Sequence, residues 1–149
     1  MRTERVPLNL IRVMPAKGQD TMQTSIFLAR LLGPVVFVLG LSLAINHAVY
    51  RTMAVEFVAS RSLVYLAGTA ALTGGLAIVL SHNVWTADWR IIITLMGWVA
   101  TLAGVVRLMF PDLVKRMGRD MFGNSRPILI TGIVWIVLGA ILIYAGYLR

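Results

Sequence analysis

Residues 62–81 read SLVYLAGTAALTGGLAIVLS, twenty residues without one charge. At about 1.5 Å of rise per residue, a helix of that length covers roughly 30 Å, the depth of a bilayer's hydrocarbon core. It has no polar face to turn toward water, so it does not read as the surface helix of a soluble domain. Three further runs of similar length accompany it, at 25–45, 91–110 and 127–147. Their only charges are Arg30, near the start of the first, and Arg107, near the end of the third. The expected fold is an all-α membrane protein with four transmembrane helices.

Composition points the same way. The chain has 149 residues, enough for one domain, and is 58% hydrophobic and 13% charged. A soluble domain carries roughly 25% charged residues. The net charge of +8 would suit a nucleic-acid surface in a soluble protein. Here the basic residues flank apolar runs, where they set orientation and meet anionic lipid, and no nucleic-acid partner is expected. Cysteine is absent, which excludes disulfides and thiolate metal sites. The first run is longer than a typical signal-peptide core and holds Gly33-Pro34 at its middle, so it reads as a retained span.

Glycine spacing organises the four runs. Gly33 and Gly40 lie seven apart, as do Gly68 and Gly75, Gly97 and Gly104, and Gly132 and Gly139. A shift of 64 residues carries the first four onto the last four without a gap. Leu31 and Leu95, Arg51 and Lys115, Met53 and Met117, and Glu56 and Asp120 obey the same shift. The expectation is an internal duplication with units near 22–85 and 86–149, each a helical hairpin. Two spans per unit put both copies in the same orientation, related by an axis along the membrane normal. Seven residues turn a helix almost twice, so each glycine pair shares a face. In lipid, small residues on one face let backbones approach closely, so the eight glycines are read as helix-packing positions. Gly146 extends the row in the fourth run, and Ala67, Ala71 and Gly75 add a ridge to the second.

The links at 46–61 and 111–126 also match. The first gathers Val49, Tyr50, Met53 and Phe57 on one helical face, and the second gathers Leu113, Val114, Met117 and Met121. Each is expected to form a short interfacial helix. Arg51, Arg61, Lys115, Arg116, Arg119 and Arg126 lie in these links, with Arg107 just inside the membrane. Arg30, Arg90 and Arg149 are on the other side. That bias places the links in the cytoplasm and both termini outside, in a multi-pass protein. Arg2, Arg5, Arg12 and Lys17 of the N-terminal tail even the count. The tail, 1–23, holds Pro7, Pro15 and Gly18 and is expected to be poorly ordered ahead of a bundle at 24–149. A true start at Met22 would leave two units of 64 residues. Trp85 and Trp89 of the middle turn suit an interfacial aromatic belt. Pro127 suits a helix's first turn, and Pro34 is expected to bend the first span.

The stretch His82-Asn83-Val84-Trp85, followed by Asp88-Trp89-Arg90-Ile91-Ile92-Ile93-Thr94-Leu95-Met96-Gly97-Trp98, resembles a family of small four-span bacterial inner-membrane proteins of uncharacterised function. The resemblance covers most of the chain after Met22. It implies a bacterial origin and a membrane location, and it assigns no catalytic residue.

Little reactive chemistry is available. His47 and His82 end successive spans, on opposite faces about 30 Å apart, so they cannot ligate one haem iron within a chain. They read as interfacial polar residues. No span contains Asp or Glu, whereas a proton-coupled exporter needs a carboxylate in the membrane. Neither a Ser-His-Asp set nor a phosphate loop can be assembled. No catalytic, metal or cofactor site is expected. Arg30, Arg107, Lys115, Arg116 and Arg119 are candidate lipid or partner contacts. The leading expectation is a non-enzymatic accessory or assembly subunit, packing through glycine-rich faces against itself or a larger membrane complex. The alternative is a small permease or channel-like transporter, for which the spans offer only Ser42, Thr69, Thr73, Thr94, Thr101 and Thr131 as polar groups.

Overall fold

The computed structural model describes residues 17–121 and 126–148, with side chains over 21–118 and 126–148. The order is α1 (Lys17–Ile45), α2 (His47–Ala59), α3 (Arg61–Ser81), α4 (Arg90–Met109), α5 (Pro111–Met121) and α6 (Arg126–Ile143). A π-helical turn, Tyr144–Leu148, ends the last helix. No strand occurs among the described residues.

Four segments are long and apolar enough to cross a membrane: Thr21–Ile45, Arg61–Ser81, Arg90–Met109 and Arg126–Leu148. They fall on the four expected runs. α1 starts at Lys17, eight residues ahead of the expected span, so part of the tail expected to be poorly ordered is helical. The rest of that tail lies outside the described residues, and helix α1 continues through Pro34.

Local chemistry sets the breaks. Ser60 adopts an extended backbone between α2 and α3, and its hydroxyl accepts from Leu63 N–H. Phe110 is forced out of the helical region by Pro111, which then opens α5 at a first-turn position. Both links are therefore helical, as expected, and α5 is strongly amphipathic.

Packing departs from the expected hairpins. The two dominant seams are α1 against α6 and α3 against α4. The spans joined by a link, α1 with α3 and α4 with α6, scarcely touch. The reason is geometric. Thirteen residues of α2 hold the ends of α1 and α3 apart by up to about 20 Å. The tight turn at 82–89 instead returns α4 directly along α3. α2 and α5 contact each other, with Val58 against Gly118. The bundle thus has a link end, carrying α2 and α5, and a turn end, carrying the middle turn and the end of α6.

At the turn end the two helix pairs meet through buried Ala29, Ile93 and Leu142. Leu28, Leu32, Ile78, Ile92 and Met96 pack around them. These positions fall into pairs 64 apart: 28 with 92, 29 with 93, 32 with 96, and 78 with 142.

Candidate functional site

All eight glycines expected at helix faces are buried in the two seams. A methyl group at Gly40 would sit 2.6 Å from Ile136 N, and one at Gly104 would sit 2.5 Å from Leu72 N. One at Gly139 would lie 2.5 Å from Phe37 N, and one at Gly75 would collide with the Thr101 backbone nitrogen. Gly33 faces Ile143 and Leu142, while Gly97 faces Val79 and Ile78. Gly68 faces Arg107 and Leu108, while Gly132 faces Leu43 and Ala44. In every case the partners, like the glycines, differ by 64. Gly74 is the exception among span glycines: it points outward with nothing within 4 Å of the added carbon.

A buried polar group at the turn end went unread in the sequence. His82 caps α3 and is 2% exposed, not interfacial as expected. Its Nε2 lies 2.8 Å from Ser25 Oγ. That hydroxyl donates to the Thr21 carbonyl at 2.6 Å, so Nε2 carries the proton and donates to Ser25. Nδ1 lies 3.3 Å from Thr94 Oγ1. Thr94 accepts from Val84 N–H, and its one hydroxyl proton has two acceptors in reach, Nδ1 and the Val84 carbonyl at 3.0 Å. Burial pushes the His82 imidazole below its ordinary value of 6.5. The ring is therefore neutral near pH 7, pinning α1, α3 and α4 together. The sequence signal was weak: a histidine just past a span usually meets headgroups, and only the fold brings Ser25 to it.

The middle turn is closed by Arg90 on Asp88, at 2.7 Å. Hydrogen bonding from Arg90 holds the Asp88 carboxyl down to about 2. Trp85 is exposed and bonds Asn83, whereas Trp89 packs on the core.

The two intramembrane arginines differ. Arg30 Nε donates to the Gly146 carbonyl at 2.6 Å, and its guanidinium stacks 5.7 Å from the Tyr147 ring centre. Tyr147 Oη donates back to the Arg30 carbonyl. Arg107 has no ion-pair or hydrogen-bond partner among the described residues. Lys115 is half-buried and Arg116 exposed. The side chain of Arg119 lies outside the described residues. Arg61 and Asp112 bridge the link end at 3.7 Å, both well exposed.

The span hydroxyls do not converge. Those of Thr69, Thr73 and Thr131 are exposed and donate to carbonyls of their own helices. Thr101 is buried and does the same, and Ser42 bonds Tyr50 at the link end.

The chain matches no protein-family model, and no curated protein or solved structure is significantly similar to it.

Proposed function

We propose that this chain is a non-enzymatic accessory or assembly subunit of a membrane complex, either a larger assembly or copies of itself. The observation that carries this is how little of each span the chain covers. Within the apolar windows of the four spans only 17–28% of residues are buried. The glycine seams are used internally, so any partner meets other surface. One outward face of α3 is lined by Ala70, Thr73, Gly74 and Ala77. Small residues at that spacing suit a second helix in lipid.

The internal duplication belongs to this proposal. It is supported by glycine partners and core residues that pair at a constant offset of 64. Under that offset the α3–α4 seam maps onto the α6–α1 seam, as a two-fold axis along the membrane normal requires. α2 and α5 map onto each other and would lie in the headgroup layer, facing the cytoplasm by their basic residues. An inner-membrane location in a bacterium follows from the same resemblance that the turn sequence carries.

Native sizing in mild detergent tests the subunit role. An assembly larger than one chain is expected, and Gly74→Leu is expected to weaken it while leaving the fold intact. Recovery of monomer alone from its own membrane would remove the proposal.

A further inference from the structure

A groove separates the two helix pairs between their contacts at the turn end and the link end. One wall is α4, through Ile92, Met96, Val99, Ala103 and Arg107. These positions recur every three or four residues and so share a face. They span sixteen residues, about 22 Å of helix. The other wall comprises Val36 of α1 with Trp135 and Leu138 of α6. This cavity, of about 470 Å³, shares Val99, Ala103 and Arg107 with a second of about 580 Å³ beneath α2 and α5. Phe57, Val58, Val114 and Met117 line the second. Both volumes lie within the roughly 300–1,000 Å³ of ligand sites.

Arg107 is the charged residue lining both cavities. It is half-buried two residues before the end of α4, at headgroup depth, and lacks a carboxylate partner among the described residues. A cation in this position is stabilised by an anion that forms charge-assisted, two-pronged hydrogen bonds with the guanidinium. Around it the link end presents Arg51, Arg61, Lys115, Arg116 and Arg126 against Glu56 and Asp112 among the described residues. We propose that this groove binds one anionic phospholipid, its phosphate on Arg107 and an acyl chain along the Arg107–Ile92 face of α4. One molecule supplies both an anion at the headgroup level and an extended apolar chain below it.

The opposite corner sharpens the assignment. A cavity of about 370 Å³ is lined there by Leu43, Tyr50, Met53, Ala54 and Phe57. Offset by 64, these become Arg107, Val114, Met117, Gly118 and Met121. Leu43 stands where Arg107 would be, so this corner offers the apolar shape without the cation. The site is single.

The inference rests on the four membrane spans and is independent of the subunit role. Native mass spectrometry of the full chain, with phosphatidylglycerol and phosphatidylcholine supplied equally, tests it. One retained phosphatidylglycerol per chain is expected. Arg107→Leu should lower retention about fivefold, from about 1 kcal/mol per basic residue at an anionic surface. Arg107→Lys should keep most of it, and Ala103→Phe should displace the lipid with Arg107 intact. Should Arg107→Leu fail to fold, quenching decides. Brominated phosphatidylglycerol should quench tryptophan emission more than brominated phosphatidylcholine, and the excess should vanish in Trp135→Phe. Equal retention of the two lipids, a folded Arg107→Leu that keeps its lipid, or a second copy of the chain in the groove would each overturn the proposal. A lipid-bearing monomer would sink only the subunit role, and a lipid-free assembly only the lipid site.

Discussion

The seam of α3 with α4 and the seam of α1 with α6 are built alike and finished differently. In both, glycines seven apart face the partner helix, Gly75 and Gly104 in the first and Gly40 and Gly139 in the second against main-chain nitrogens, and corresponding contacts fall 64 residues apart. At the turn end the likeness stops. The first seam closes on His82 and Thr94; at the positions 64 away, Gly146 and Arg30 close the second. One solution is a neutral imidazole between two hydroxyls, the other a guanidinium on a main-chain carbonyl. The link end splits again, with Arg107 opposite Gly68 and Leu43 opposite Gly132. Backbone approach tolerates almost no variation, because a single added carbon meets main-chain atoms that cannot rotate away. Polar groups at the ends can differ, provided that each local set of donors and acceptors is satisfied.

The most direct way to break the likeness is at the glycines. Gly75→Ala and Gly139→Ala should each destabilise by about 1–3 kcal/mol, the usual cost of overpacking. Denaturant unfolding in detergent checks this, and a large loss at one position with none at the other would end the equivalence of the seams. His82→Ala comes next. It removes one hydrogen-bond partner each from Ser25 and Thr94 and leaves a cavity where the buried ring was, and a loss of about 2 kcal/mol is expected. Arg30→Ala should instead be partly relieved by solvent at its exposed side.

Acidification should act more gently, and at the turn end of the first seam. The His82 pKa is lowered on folding, so below 6.5 the unfolded chain binds the proton more readily. Its contribution is complete above 6.5 and declines as pH falls below it; His82→Asn should remove that slope in melts between pH 7 and 5. Asp88 acts in a lower window. Its stabilisation by Arg90 is complete above 3.8 and is lost as pH falls toward about 2. The smallest effect is expected at Gly74→Ala. With open space around it, the change in monomer stability should stay within about 0.5 kcal/mol. A loss as large as that at Gly75 would mean that this face is already packed.

Much of the fold was legible in residue order. Apolar run length located every span, and Pro127, read as a first-turn residue, lies in the first turn of α6. Glycines seven apart are plain in the sequence, and in a membrane small side chains are a means of close approach. Candidate ligand contacts were only half legible. Arg30 and Arg107 look alike as lone cations in apolar runs, and nothing local distinguishes one tied to Gly146 from one without a protein partner among the described residues.

What sequence alone determined, then, was which segments enter the membrane and which face of each is small. Both depend on local composition: a backbone without water must be helical, and a helix needs about twenty apolar residues to cross. The tertiary structure decided which faces meet. It paired α1 with α6 and α3 with α4, because helical links hold successive spans apart while one short turn draws two together. That same pairing buried His82 beside Ser25, 57 residues away in sequence. It also opened the groove beside Arg107. Such contacts depend on the separation of helix axes, which no local run of residues encodes.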